Sequence, residues 1–468
     1  MTTIHNIPPE VLKTIFEHAT TYVDKEKCQE LADRVISVCQ RWKTVGLETP
    51  ALWATIYVTL DYDHSDYGFI QTSLARSGHH KLDINLWILH SHLPSNGSVE
   101  SWISKVMELL LPHMKRWKSL YMYVSLSDLA AIATASWTGT AVALQALQIE
   151  SSGADQGIPD VCSFSLPATF SAPNLRLYSL QSMDCVEVQD AINMPKAFPA
   201  LRILRICRRT FKWIDTMEMM QLLHHLPSLQ LLSLDGPMLD QEDPDPADAI
   251  ENPPCLRALR ELEFTFVGAY DVATSLRAFD APLLEKLTIG GCHSEDLSEG
   301  LMRIEAQLAR FPSLHILNHG HNHYNGEQTF SMKQTCTCFS TFRQFDLGDV
   351  SLLDVLSCLA KEQPEGWYLP TLTSLELRSG REHATSYVGL LRDLVEARQG
   401  AQLATGEASA TRHPLALEEI TVHAWCDISE EERSWFKERL QTFKWDPDLS
   451  EDRQMPSSVA MCCAPARK

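Results

Sequence analysis

No stretch of this 468-residue chain approaches the roughly 20 consecutive apolar residues that would span a bilayer. The N-terminus also lacks the basic start and apolar run of a secretion signal. Cysteine is present (13 residues) but scattered, odd in number and without framework spacing. That excludes a disulfide scaffold and fits reduced thiols in an intracellular protein, cytoplasmic or nuclear. Asn96-Gly97-Ser98, formally a glycosylation sequon, then reads as a turn. Positive charge is scarce: 40 Lys and Arg against 60 Asp and Glu leave a net charge of −20, which disfavours phosphate or nucleic-acid binding. The G-x-S-x-G, H-E-x-x-H, P-loop and G-x-G-x-x-G signatures are all missing, so the common hydrolase, protease, kinase and dinucleotide chemistries have no support. Cys462 and Cys463 are not fourth from the end, so prenylation is not indicated. The expectation is a non-enzyme that uses no cofactor, nucleic acid or membrane.

One cluster resembles metal ligands: His319, His321 and His323, with Cys336 and Cys338 downstream. Spacing of one residue strains a shared tetrahedron, and Gly320 and Asn322 make turn histidines the plainer account. No metal site is assigned.

What is there begins in the first fifty-three residues. Pro8 and Pro9 suit a helix start, where a missing N–H costs nothing, and Glu10 sits where the helix dipole favours negative charge. Leu12, Ile15, Phe16 and Ala19 recur at helical spacing. After a polar gap (20–30), Leu31, Val35, Val38, Trp42 and Val45 repeat the pattern and predict a second helix. Thr49 before Pro50 predicts an N-cap and a short third helix. Three helices of this size bury little alone, leaving apolar area that seeks a partner.

Ile7, Pro8, Glu10, Leu12, Ile15, Phe16, Val38, Cys39, Trp42, Leu52 and Trp53 stand in the order Leu-Pro-x-Glu-x-Leu, Ile-Phe, Val-Cys-x-x-Trp, Leu-Trp. In that ordered set the segment 4–56 resembles an F-box. Ile7 replaces the customary leucine, and the link between the first two helices is longer than in compact members. The resemblance implies docking on a Skp-type adaptor, and through it a cullin-RING ligase. The contacts it implies are Ile7, Pro8, Pro9, Glu10, Leu12, Ile15, Phe16, Val38, Cys39, Trp42, Leu52 and Trp53.

Beyond residue 140 one pattern returns, apolar-x-x-apolar-x-apolar: Leu144, Leu147, Ile149, then Leu201, Leu204, Ile206, and so on to Leu417, Ile420, Val422. From Leu201 to Leu372 the anchors step by 28, 30, 25, 30, 28 and 30 residues. This period and internal spacing resemble leucine-rich repeats. The last two apolar positions lie two apart, so both point inward from a short strand. Helix-like segments such as 215–225 and 301–310 lie between the strands, which predicts parallel strands on one face and helices on the other. The asparagine or cysteine usual after the strand is clear only at Cys292 and Asn322, so the coil is expected to be irregular.

The fold expected is therefore α/β: a three-helix F-box (1–56), linker strands and an N-terminal cap of the repeats (57–110), and an irregular repeat solenoid (111–446). The solenoid carries an acidic loop (240–254) and a flexible insertion (399–412), and a disordered tail (447–468) follows. Ile56, Val58, Leu60 and Leu82, Ile84, Leu86 alternate as strands, and 70–77 reads as a helix stopped by Gly78. The closing unit is a strand at 420–422 and a helix over 429–443, with Ser429 as N-cap and Glu432 completing a capping box. Residues between the inward pairs point outward: Arg205, Ser233, Glu263, Thr288, Asn318, Asp346, Glu376 and Thr421. On a curled stack they share the concave face and would meet a protein target, a basic segment facing Glu263, Asp346 and Glu376. The resemblance thus implies a substrate-recognition subunit of an SCF-type ubiquitin ligase, or else an F-box scaffold acting outside the ligase.

Overall fold

The computed structural model describes residues 7–60, 67–88, 99–124, 137–151, 169–181, 198–207, 216–235, 253–265, 267, 272, 275–290, 308, 311–314, 316–320, 343–347, 352–362, 366–378, 387–404, 414–424 and 427–447. The chain divides into two compact units, Met1–Leu259 and Arg260–Lys468.

The first unit opens with α1 (Pro9–Tyr22), a 3-10 turn (Lys25–Lys27), α2 (Cys28–Ser37), α3 (Gln40–Leu47) and a second 3-10 turn (Pro50–Trp53). Proline stands at the start of α1 and of the second turn, where its fixed φ suits helix entry. Leu12, Phe16, Ala32, Val35, Val45, Leu52 and Trp53 form one buried cluster, with Ile7, Leu31, Ile36, Trp42 and Leu47 packed around it. Gly46 lets α2 and α3 approach: a Cβ there would meet Val35 Cγ1 at 3.0 Å and Ile36 Cγ2 at 3.1 Å. The Gly46 carbonyl accepts from Trp53 Nε1 at 3.0 Å, and the Arg76 guanidinium covers the Trp53 ring at 4.4 Å. This small core is closed and its indole is satisfied.

The elements that follow are β1 (Thr55–Leu60), α4 (Tyr67–Arg76), β2 (Leu82–Ile88), α5 (Val99–Leu110), β3 (Trp117–Val124), β4 (Gly139–Thr140), β5 (Ala146–Ser151), β6 (Phe170–Ser171), β7 (Leu177–Gln181), β8 (Ile203–Cys207), α6 (Thr216–His224) and β9 (Leu231–Asp235). β1, β2, β3, β5, β7, β8 and β9 pair side by side, every pair parallel, and β4 pairs with β6 separately. Alternate strand residues such as Leu120 and Met122, Leu147 and Ile149, or Leu204 and Ile206 are buried. A line of rings crosses the core at edge-to-face angles: Trp117–Trp137 at 5.8 Å, Trp137–Phe170 at 5.6 Å and Phe170–Phe198 at 6.2 Å. Such pairs contribute about 0.5–1.5 kcal/mol each beyond their area.

The second unit holds β10 (Glu261–Thr265), β11 (Lys286–Gly290), β12 (Ile316–Gly320), β13 (Gln344–Leu347), α7 (Leu352–Leu359), β14 (Ser374–Arg378), α8 (Tyr387–Ala404), β15 (Glu419–Ala424), α9 (Glu430–Arg439) and β16 (Thr442–Pro447). Each of these strands pairs in parallel with the next. Both units are thus mixed α/β with parallel strands in sequence order.

Several of the described repeats also share a turn that the leucine pattern did not announce. An apolar residue three positions before the first leucine accepts that leucine's N–H: Ala172 from Leu175 at 3.0 Å, Phe198 from Leu201 at 3.2 Å, Leu256 from Leu259 at 3.2 Å, Leu369 from Leu372 at 3.0 Å. These turn residues are buried, so each of these repeats contributes a further apolar side chain, worth about 1.5–3 kcal/mol where it is the phenylalanine or a leucine. In the Leu369 turn the backbone is left-handed (φ 45°), and the wholly buried Arg398 of α8 holds it. Arg398 donates from Nη2 to the Tyr368 and Leu369 carbonyls at 2.7 and 3.0 Å, and from Nη1 to the Leu372 and Leu415 carbonyls at 3.3 and 3.4 Å.

Several expectations differ from what is observed. The helix expected to run from Leu31 to Val45 is two helices, because Cys39 is extended (φ −165°, ψ 169°) and its sulfur accepts the Trp42 N–H at 3.5 Å. Thr49 does not cap; its hydroxyl donates to the Val45 carbonyl at 2.7 Å. The supposed linker strands β1 and β2 are full members of the first unit's ladder. The flexible insertion is helical as far as Ala404, and Gln399 Nε2 donates to the Arg439 carbonyl at 2.9 Å. The last helix ends at Arg439, although its capping box forms with Glu432 N donating to Ser429 Oγ at 3.2 Å. Residues 442–447 are instead a strand, reaching Pro447, where the tail was expected to begin. The helix expected at 301–310 (save Leu308), the acidic loop 240–254 (save its last two residues) and the tail from 448 lie outside the described residues.

Candidate functional site

α1 divides its residues cleanly. Leu12 and Phe16 face the cluster, and Phe16 meets Trp42 edge-on at 5.1 Å. On the other side Val11 (47% exposed), Ile15 (46%), His18 and Tyr22 (84%) follow one another at steps of four, three and four, so they make one stripe. His18 and Tyr22 touch edge-on at 6.4 Å. Pro8 and Pro9, both exposed, start the helix at the same end as Val11. Val38 (55% exposed) sits at the α2–α3 junction. The start of α3 is tied to the start of α1 by the Arg41 guanidinium, which donates to the Ile7 carbonyl.

The twelve residues that sequence reasoning assigned to adaptor contact therefore separate. Pro8, Pro9, Glu10, Ile15 and Val38 are exposed, and Ile7, Cys39 and Trp42 are half-buried. Leu12, Phe16, Leu52 and Trp53 lie in the core, where no partner reaches them; they hold the unit together. Val11 and Tyr22 were missed. The signal was available, since residues 11, 15, 18 and 22 repeat at helical spacing, but it lay beside a stronger apolar face.

The strand positions between the paired apolar residues line up as well. In the second unit Glu263, Thr288, Asn318, Asp346, Glu376 and Thr421 are register partners in one row, which Lys444 of β16 extends. In the first unit Arg205 pairs with Ser233, and the row runs back through Ser179, Gln148, Tyr121 and Asn85 to Tyr57. Those five residues were not anticipated, because outward positions were read only from Arg205 onward. Asn85 Nδ2, Ser179 Oγ and Arg205 Nε of this row are buried without a hydrogen-bond partner.

The early strands of the first unit carry aromatic residues on this outward face. Trp87 lies 6.4 Å from Tyr57, 5.4 Å from Tyr121 and 5.0 Å from Tyr123, at interplanar angles of 42°, 47° and 28°. Tyr57, Trp87 and Tyr121 are half-buried and Tyr123 is buried. The Tyr121 hydroxyl donates to Glu150 Oε2 at 2.8 Å. Burial first, then the Glu150 charge and this hydrogen bond, push the Tyr121 phenol far above its usual range. Burial also raises Tyr57, with the Glu26 charge adding to it. Both phenols are therefore neutral at physiological pH.

Among the described residues no group of three or more His, Cys, Asp or Glu side chains is placed to hold a metal ion. His319 lies on β12, while His321, His323, Cys336 and Cys338 fall outside the described residues. Among the described residues, too, no helix is long and apolar enough to cross a membrane.

No protein-family model matches the chain, and no curated protein does. Among solved structures it is similar to a chain in the crystal structure of the Rad7 and Elc1 complex in yeast, at 12% identity and a TM-score of 0.30. The likeness covers 91% of this chain and 90% of that one. The α/β assignment rests on the strand register and not on that likeness.

Proposed function

We propose that the protein is the substrate-recognition subunit of an SCF-type ubiquitin ligase. In this reading the N-terminal helices act as an F-box on a Skp-type adaptor, and the outward strand face captures a protein target. The observation that carries it is the exposed apolar stripe on α1, on a helical unit whose own core is already filled. A closed core removes the need for Val11, Ile15 and Val38 to complete the fold, so their exposure costs solubility without an internal return. Burying what remains open of Val11 and Ile15 would contribute about 1 kcal/mol each. Docking would then use Pro8, Pro9, Val11, Ile15 and Val38, with half-buried Ile7, Cys39 and Trp42 at the margin. No residue of the chain performs chemistry here; holding a target lysine near a charged conjugating enzyme acts by effective concentration. The reading places the protein inside the cell, where the adaptor is.

The test is reconstitution. The full chain is expected to co-elute with a purified Skp-type adaptor, and the assembled ligase to ubiquitinate a protein captured by the strand face. Absence of adaptor binding would refute the proposal. Binding without modification of any captured protein would refute the ligase role and leave the scaffold reading.

A further inference from the structure

The residues at the strand starts of the first unit form a row of their own. Each backbone N–H there donates to the carbonyl one strand back: Gln145 to Lys118 at 2.8 Å, Arg176 to Gln145 at 2.9 Å, Arg202 to Arg176 at 2.9 Å and Gln230 to Arg202 at 2.7 Å. These residues therefore stack at the strand spacing of about 4.8 Å. Lys81, just before β2, continues the row beyond Lys118, and Arg116 ties the two strand starts together. Its Nε donates to the His80 carbonyl at 2.9 Å and its Nη2 to Ser77 Oγ at 2.6 Å. Lys81, Lys118, Arg176 and Arg202 are exposed, as is Lys115 beside Arg116.

This edge carries charge of one sign. The groups that hold Arg116 are neutral, so its charge stands. Asp83 is engaged: Lys118 Nζ is 3.0 Å from its Oδ2, and Ser119 Oγ donates to its Oδ1 at 2.6 Å. The turns leading into the strands, 141–144, 172–175, 198–201 and 226–229, contain no acidic residue. Arg176 and Arg202 meet no carboxylate among the described residues. In the second unit the cations of this edge are neutralised: Arg260 pairs with Glu285 one repeat on, and Lys286 with Glu261 at 3.8 Å. Where Arg260 has Glu285, Arg202 has Gln230 on one side and Arg176 on the other.

Folding does not ask for these cations. Gln145 and Gln230 fill the same position without charge, and like charges on neighbouring strands repel. On a chain of net charge −20 the row is a local reversal of sign, and it fits an anionic partner. Its cations are spread from β2 to β8, roughly 20 Å at the strand spacing. A single phosphate gathers its charge at one point. A nucleic acid would run on over acidic surface, and the row itself holds no aromatic ring on which a base could stack. An acidic stretch of polypeptide distributes its carboxylates as the row distributes its cations. Extended, it sets the side chains of one face about 6.6 Å apart, and guanidinium groups take carboxylates bidentately.

We infer that the strand-start edge of the first unit, with Lys81, Arg116, Lys118, Arg176 and Arg202, docks an acidic segment of a partner protein. This surface is distinct from the α1 stripe, and its test needs no adaptor, so it stands or falls independently of the ligase reading.

The test uses the full chain and two fluorescein-labelled Gly/Ser peptides carrying glutamate or glutamine at the same positions, followed by anisotropy at low salt. The net charge of −20 by itself repels the glutamate peptide. The edge predicts the opposite order, with glutamate bound more tightly than its glutamine twin and the margin shrinking as salt is added. Arg176→Gln with Arg202→Gln is expected to weaken glutamate binding about three- to tenfold at an unchanged melting temperature. Lysine at both positions should retain most of it. Arg260→Gln with Lys286→Gln removes the same charge from the second unit and should leave binding unchanged. A glutamate peptide that binds no better than glutamine would overturn the inference, and so would a margin that survives Arg176→Gln with Arg202→Gln. A labelled single-stranded oligonucleotide is expected to bind more weakly than the glutamate peptide; tighter binding, lost with the same two substitutions, would overturn the assignment to a protein partner.

Discussion

Two neighbouring residues of α1 should respond to mutation in opposite ways. Phe16 is 1% exposed and packs edge-on against Trp42; Ile15, one position earlier, is 46% exposed. Phe16→Ala removes a ring from a cluster of seven buried side chains. The cost is about 3–5 kcal/mol for the lost transfer energy and the cavity left behind. A whole domain is stable by only about 5–15 kcal/mol, so this loss should unfold the helical unit and take adaptor binding with it. Ile15→Glu leaves the core intact and places a better helix former on a solvated face. Its effect on stability should stay within about 0.5 kcal/mol. If α1 docks through its stripe, the same change withdraws about 1 kcal/mol of apolar burial and forces a carboxylate out of water. A total near 3 kcal/mol corresponds to roughly a hundredfold rise in Kd. Calorimetric titration of a Skp-type adaptor, paired with thermal melts of each variant, reads both quantities. Ile15→Glu binding with unchanged affinity would refute the stripe as the docking surface. Phe16→Ala melting like the unmodified chain would refute the core assignment.

Other outcomes follow from the second unit and the thiols. Arg398→Met would leave the Tyr368, Leu369, Leu372 and Leu415 carbonyls without this donor and the left-handed Leu369 without its brace. A loss of about 3 kcal/mol or more is expected in denaturant titration, and a neutral result would show that the buried charge cost as much as its bonds returned. At the start of α9, Ser429 lowers the Glu432 pKa below the usual glutamate value by hydrogen bonding to the carboxylate. A depressed folded pKa means that the capping contribution is present above the unfolded value and is lost as pH falls through the folded one. Glu432→Gln should therefore flatten the acid limb of the stability–pH curve, measured by thermal melts, by lowering stability at neutral pH while leaving stability below the folded pKa little changed. Cys28 is buried and burial raises its thiol pKa, whereas Cys255 is exposed. Iodoacetamide should label Cys255 in the native protein and Cys28 only after unfolding, as peptide mass mapping would show; rapid native labelling of Cys28 would contradict its burial.

Much of the strand ladder was legible in advance because strand periodicity leaves little choice. With side chains alternating every residue, Leu262 and Phe264 can be buried together only if Glu263 faces out. The same logic places Thr288, Asn318, Asp346, Glu376 and Thr421 in one row, as the register does. Legibility failed where local signals were ambiguous. Cysteine is not a usual helix cap, so the break at Cys39 left no mark. Thr442 and Phe443 followed a helical stretch closely enough to be read as its continuation, whereas their register opposite Glu419 and Ile420 makes them part of a strand. The run from Gln399 to Ala404 looked like a polar insertion and is a helix because its glutamines, alanines and leucine are good helix formers.

The candidate surfaces mark the boundary between the two kinds of knowledge. The amino-acid order alone settled the repeating α/β plan, the acidic character and the presence of an apolar helical segment at one end, since these follow from periodicity and composition. It did not settle which apolar residues of that segment would remain outside. Leu12 and Ile15 are alike in chemistry and three positions apart; one is buried because α2, α3 and Trp53 close over it, and the other is not. Nor could it bring Tyr57, Trp87, Tyr121 and Glu150 together, for they lie on four different strands. Burial and proximity belong to neighbours distant in sequence, and only the folded chain supplies them.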